Sequence, residues 1–280
     1  ADAVKFQLFR AERLYPKNAG ASDYLKLDKS IYDIIQEMEL PYEWIPELAA
    51  HCREAGIEFM ASVFDEDAVD RLDRWVSCFK IASYEITHLP LIRHAAERQK
   101  PILLSTGTAE LEEVREAVET VRETGNQSLA LMQCTACYPA PLNSLNIRAM
   151  EQLRDDFGVP VGLSDHSRDP LVGPMAAVAA GAHLLEKHVT LSNELPGPDH
   201  QFAVEPDELR LMVQRVREVE QALGLGGKAR HPVEQELVEF CRRYIFSLRL
   251  IRKGDAITAQ NAAVLRKGKP ERIGGTGFFP

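Results

Sequence analysis

Between residues 58 and 188 short apolar runs alternate with amphipathic stretches at a steady spacing. The runs 58–62, 78–83, 101–105, 129–134, 160–164 and 183–188 have strand length and end in small or polar residues. Stretches 66–75, 90–97, 111–124, 145–157 and 170–180 carry apolar residues at helical spacing, and a longer helix is predicted over 206–223. This alternation predicts parallel βα units, because parallel strands need a long crossover and hairpins do not. Residues 1–9 form one more strand, with Val4, Phe6 and Leu8 on one face and Ala3, Lys5 and Gln7 on the other. Strands covered by helices carry their apolar residues outward, so in a barrel Lys5 and Gln7 face the interior. A polar connection follows, then helices over 30–38, capped by Ser30, and from Pro41 to about residue 55.

Seven such units are visible, whereas a closed (β/α)8 barrel has eight. The predicted fold class is therefore α/β, a TIM (β/α)8 barrel over residues 1–223 lacking its first βα unit in this chain. The missing unit is expected before Ala1, since the opening residues already sit in a strand. Gly224-Leu-Gly-Gly227 and Pro232 mark a linker over 224–241. Residues 242–280 read as strand, turn and short strand, ending in a glycine-rich loop at 274–277. That is little chain for a core of its own.

The chain has 280 residues, 45% hydrophobic and 27% charged, which suits a folded, water-soluble body. A net charge of −9 argues against broad nucleic-acid or membrane-surface binding. No apolar run is long enough to span a bilayer. Five scattered cysteines point to a reducing compartment, and a cytoplasmic location is expected. Cys134-Thr-Ala-Cys137 has redox-motif spacing but lacks the surroundings of such a site.

Barrel chemistry collects at the C-terminal ends of the strands. Two consecutive runs end alike there: Gly162-Leu-Ser-Asp-His166 and Glu186-Lys-His188. Residues two apart on a strand share a face, so Ser164 with His166, and Glu186 with His188, point together. Two such histidines are half of a divalent-metal site; satisfied rim histidines are the alternative. Lys5 and Lys80 lie inward beside Ser62, Ser83, Ser105 and Ser164. Cations with this many hydroxyls suit a phosphate and a carboxylate. An ion-pair network with Glu85 or Glu186 is the other reading. The loop Pro196-Gly-Pro-Asp-His200 is stiff enough to present Asp199 to a ligand.

With these residues laid out, the chain resembles the sialic acid synthase family, the phosphoenolpyruvate-dependent N-acetylneuraminate synthases and their relatives. The matching runs are Ala1-Asp-Ala-Val-Lys-Phe-Gln7, Phe79-Lys-Ile-Ala-Ser83 with Glu85-Ile86, Leu104-Ser-Thr-Gly107, Cys134-Thr135 with Tyr138-Pro139, and the three His-bearing motifs. Tyr84 and Asp165-His-Ser167 lean toward the spore-coat polysaccharide branch. The resemblance implies a barrel followed by a partial antifreeze-like (SAF) domain at 242–280, and a homodimer. It implies condensation of phosphoenolpyruvate with an N-acyl-hexosamine to a nine-carbon 2-keto acid, with release of phosphate. His166 and His188 would hold Mn2+ or Mg2+. Lys5, Gln7, Ser62, Lys80, Ser83, Ser105 and Ser164 would bind substrate, with Tyr138, Glu186, Asp199 and Arg266 toward the sugar. Glu186, His188 and Lys80 would form the catalytic set. Rival readings are a synthase for a legionaminic, pseudaminic or spore-coat sugar acid, a non-catalytic barrel, and an aldolase with a Schiff-base lysine.

Overall fold

The computed structural model describes residues 1–21 and 29–268. The loop expected at 274–277 lies outside them. Seven strands form one parallel sheet in sequence order: β1 (Ala3–Leu8), β2 (Glu58–Val63), β3 (Phe79–Ile81), β4 (Ile102–Ser105), β5 (Leu129–Cys134), β6 (Val161–Asp165) and β7 (Leu184–Lys187). The order is that of consecutive βα units, each strand pairing with the next. β1 and β7 are the two edges and do not pair with each other.

The sheet is strongly curled. Seven flat strands at about 4.8 Å spacing would hold their edges roughly 29 Å apart. Instead, Lys5 Nζ on β1 stands 3.2 Å from Glu186 Oε1 on β7. Arg217, on the helix after β7, also reaches Asp2 at 3.0 Å. The curl thus brings side chains of the two edge strands together.

The outward face of the sheet carries the core. Phe79, Ile81, Ile102, Leu104, Leu131, Val161 and Leu163 are fully buried beneath the helices. At about 25 cal/mol per Å² of apolar surface, this layer is the main source of stability. Local chemistry sets the helix ends. Asp65 accepts from the Ala68 amide at 2.8 Å to start Glu66–Leu72. Glu110 with Glu113, and Glu205 with Glu208, cap Leu111–Glu123 and Pro206–Leu223 reciprocally.

Several boundaries differ from the pattern-based reading. A short helix, Ala11–Leu14, stands in the expected polar connection. The helix expected over 145–157 begins only at Ala149, because Asn146 takes a left-handed backbone (φ 44°) that a continuous helix excludes. β3 ends at Ile81, and the chain turns at once through the 3-10 segment Ser83–Glu85.

The second compact unit is Leu225–Pro280. Residues 224–241, read as a linker, contain the 3-10 turn Pro232–Glu234 and the helix Gln235–Cys241. β8 (Arg243–Ser247) pairs antiparallel with β9 (Ala262–Arg266), the strand and short strand read in this stretch. Among the described residues, no helix is long and apolar enough to cross a membrane.

Candidate active site

The pleat brings the inward residues of neighbouring strands into rows. Gln7, Ser62 and Lys80 are register partners across β1, β2 and β3, as are Ser164 and Glu186 across β6 and β7. Lys80 is 1% exposed. Its ammonium donates to Ser105 Oγ at 2.6 Å and to the Ile81 carbonyl at 3.0 Å. Glu186 Oε1 lies 3.9 Å from Lys80, 3.2 Å from Lys5 and 2.8 Å from the Ser164 hydroxyl that donates to it.

One carboxylate therefore faces two ammonium groups. The ion-pair reading of the lysines holds for Glu186 and not for Glu85, and it sets two ammonium groups, buried Lys80 and half-buried Lys5, against one carboxylate. Burying such an excess of charge is costly unless a counter-ion balances it. Burial pushes Lys80 down to about 8, against the pull of Glu186. Burial works to raise Glu186, but Lys80, Lys5 and the Ser164 hydroxyl outweigh it and hold the carboxyl far below the usual range. Ser62 Oγ is fully buried and has no hydrogen-bond partner among the described residues. Ser83 Oγ accepts from the Gly107 amide at 3.1 Å, an approach that a Cβ on Gly107, 2.8 Å from that oxygen, would block.

The two histidines face each other from the ends of β6 and β7, ring centres 5.2 Å apart. His166 Nδ1 lies 2.9 Å from the Thr135 carbonyl, which assigns the proton to Nδ1 and a lone pair to Nε2. Burial, reinforced by His188, pushes His166 down to about 4, so the ring stays neutral near pH 7. His188 Nδ1 stands 3.3 Å from Asp199 Oδ2. Tyr138 packs on His166 at 4.3 Å between ring centres, and Phe202 on His188 at 5.1 Å. Burial raises the Tyr138 phenol, so it remains protonated.

Among the described residues no group of three or more His, Cys, Asp or Glu side chains could hold a metal ion alone. The pair does fit a divalent ion that takes its other ligands from water and substrate oxygens. Both imidazoles have an outer partner on Nδ1, the arrangement that orients a metal-binding histidine.

Lys5, Lys80, Ser105, Ser164 and Glu186 thus converge, and Tyr138, His166, His188 and Asp199 gather beside them. Gln7 and Glu186 line a cavity of about 410 Å³ that runs past Met132 and His188 toward Met212. Arg266 is exposed at the end of β9, within the second unit. Cys134 and Cys137 are free thiols, and Cys134 Sγ lies 3.7 Å from His166 Nδ1. Phe202 escapes sequence reasoning because it has no periodic or motif signature, and the Thr135 carbonyl escapes it because a backbone acceptor carries no side-chain signal, although Thr135 lies in one of the matching runs. Asp165 and Lys187 carry a sequence signal of their own: each is charged at an outward strand position, where apolar residues are the rule. Glu85, pushed up to about 7 by burial, is a further ionisable group near the strand ends.

The NeuB family model matches residues 1–228. The spore coat polysaccharide biosynthesis protein SpsE of Bacillus subtilis is 43% identical over 98% of this chain and 78% of its own length. An N,N'-diacetyllegionaminic acid synthase of Legionella pneumophila is 39% identical over 96% of this chain and 78% of its own. The crystal structure of a sialic acid synthetase from Leptospira borgpetersenii, in complex with citrate, superposes with a TM-score of 0.77 at 29% identity, over 85% of this chain and 80% of that one.

Proposed function

The chain belongs to the NeuB family, and from that membership we propose that it is a sugar acid synthase that condenses phosphoenolpyruvate with an N-acyl amino sugar. The observation that carries the reading is the Glu186-centred cluster. Two ammonium groups and the Ser164 hydroxyl share one carboxylate, next to the imidazoles of His166 and His188. Lys5, Lys80, Ser62, Ser83 and Ser105 bind the phosphate and carboxylate of phosphoenolpyruvate. Gln7 and Ser164 complete that wall, and Tyr138 and Asp199 face the sugar. The site lies at the C-terminal strand ends, where barrel wall and side chains shield it from water.

His166 and His188 would hold Mn2+ or Mg2+, and the ion when bound would supply Lewis acidity to the sugar aldehyde. The enol carbon of phosphoenolpyruvate attacks the aldehyde carbon. Water then adds at C2, and phosphate leaves by C–O cleavage. Lys5 and Lys80, fixed beforehand by Glu186 and Ser105, stabilise the phosphate and carboxylate charges without reorganising. The same reading places the enzyme in the cytoplasm as a homodimer.

The test is phosphate release with Mn2+, phosphoenolpyruvate and N-acetylmannosamine or a 2,4-diacetamido hexose. Release that requires both substrates, together with a 2-keto acid product, is expected. Phosphate from phosphoenolpyruvate alone, or from no sugar tried, overturns the reading. The lowered Lys80 favours a second reading, an aldolase with a Schiff-base lysine, because it makes a more nucleophilic amine available. Borohydride separates the two: covalent capture of substrate at Lys80 selects the aldolase.

A further inference from the structure

On the outer face of the sheet, behind the two histidines, lies a second charged cluster that the proposed chemistry does not use. Lys187 Nζ is 2.7 Å from Asp165 Oδ2, with side chains only 3% and 0% exposed. The same ammonium donates to the Ser167 carbonyl, to the Asp169 carbonyl at 3.0 Å and toward Ser167 Oγ at 3.3 Å. Asp165 Oδ1 accepts from the Ser167 amide at 2.8 Å. The Asp169 carboxylate caps the amides of Leu171 and Val172, where the helix Val172–Ala179 begins. On that helix, a Cβ at Gly173 would fall 2.7 Å from Asp165 Oδ2, so the helix packs directly against the carboxylate.

A buried ion pair is a poor device for stability alone, since apolar residues of similar size often do as well or better. What it supplies is uniqueness of position. Asp165 and Lys187 are register partners, and each immediately precedes a histidine, His166 or His188. A one-residue slip of either strand would move its charge to the inner face and leave the other buried without its partner, so the pair favours the register that sets the rings opposite each other. The additional bonds from Lys187 pin the chain just beyond His166 to the end of β7.

We propose that the Asp165–Lys187 pair is a positioning device that sets the separation of His166 and His188, and through it the affinity for the divalent ion. The part concerning the ion rests on the function proposed above. The test compares Asp165→Asn, Lys187→Met and the double variant Asp165→Leu/Lys187→Met with the wild type. Three readouts are taken: thermal melting, Mn2+ affinity by calorimetry, and the imidazole nitrogen resonances of the metal-free, 15N-histidine-labelled protein. Lys187→Met, which leaves a buried charge alone, is expected to melt well below wild type. The double variant is expected to recover most of that loss. Its Mn2+ Kd should remain weaker by about tenfold or more, the range seen when outer partners of ligands are removed, and its His166 and His188 resonances should stay displaced. A merely structural pair predicts the opposite, with affinity and resonances returning along with Tm, and that result overturns the proposal. Should the double variant fail to fold, Asp165→Asn decides, because it keeps the shape and one acceptor; wild-type affinity and resonances in it also overturn the proposal. If the wild type binds no Mn2+, the metal reading fails by itself, and the resonances of the metal-free protein still judge the positioning.

Discussion

At the scale of the residue, the buried cations lead to the clearest expectations. Lys80 is protonated in the free protein below about 8 and loses its charge above that value. An anion needs the ammonium, so kcat/KM for phosphoenolpyruvate should fall as pH rises through about 8. Lys80→Met should raise KM for phosphoenolpyruvate by about 10- to 100-fold, the worth of one charge-assisted hydrogen bond, and should abolish that alkaline limb. Unchanged phosphoenolpyruvate kinetics in the variant would remove Lys80 from the site. Glu85 is shifted in the opposite direction. Burial lifts its folded value from 4.5 to about 7, so the folded state holds extra proton between those limits. The stability this confers is therefore lost as pH rises through that window. Glu85→Gln should raise Tm at pH 8, worth about 1–2 kcal/mol once partial solvent access is allowed for, and change little at pH 4.5. Melting curves at the two pH values check this, and equal gains at both would show that burial of charge is not the cause. The inward lysines and both histidines were legible from strand alternation alone. Their partners were not: that Glu186 rather than Glu85 meets the lysines depends on how far the sheet curls.

At the scale of the element, β6 and β7 are the critical pair. Gly162 lies on β6, facing the backbone of Leu184 on β7, and a Cβ there would come 2.4 Å from the Leu184 carbonyl oxygen. Neither backbone can yield without disturbing the Ser164–Glu186 and Asp165–Lys187 alignments further along. Gly162→Ala should therefore destabilise the fold by about 1–3 kcal/mol, the usual cost of overpacking, and reduce activity more than stability alone accounts for. Urea titration and kcat measured on the folded fraction check the two halves of that statement, and a variant with wild-type kcat would show that the strand ends adjust independently. Element types and order followed from the alternation of apolar runs and amphipathic stretches. Element ends did not, because Asn146 and the tight turn after β3 obey local backbone conformation that periodicity does not encode.

At the scale of the whole molecule, the chain divides into two compact units between Gly224 and Leu225. Gly224, Gly226 and Gly227 have positive φ, and Leu225 is fully exposed between them. Residues 224–231 carry no helix or strand, which leaves their backbone open to a protease. Limited proteolysis should cut first in this stretch and release a fragment ending near residue 224. First cleavage within the helix Pro206–Leu223 would contradict that division. By itself, the sequence determined the parallel βα plan, the inward face of each strand and the residue types at the strand ends, because alternation with period two and amphipathic helices are local properties of the chain. Only the tertiary structure decided which of those residues touch. Lys5 and Glu186 are 181 positions apart along the chain, and the curl of seven strands brings them to 3.2 Å. The pairing of His188 with Asp199, the packing of Phe202 and the buried Asp165–Lys187 clamp arise the same way. Each is a contact between separate segments, fixed by sheet curvature and helix packing, for which no short stretch of sequence holds the distance.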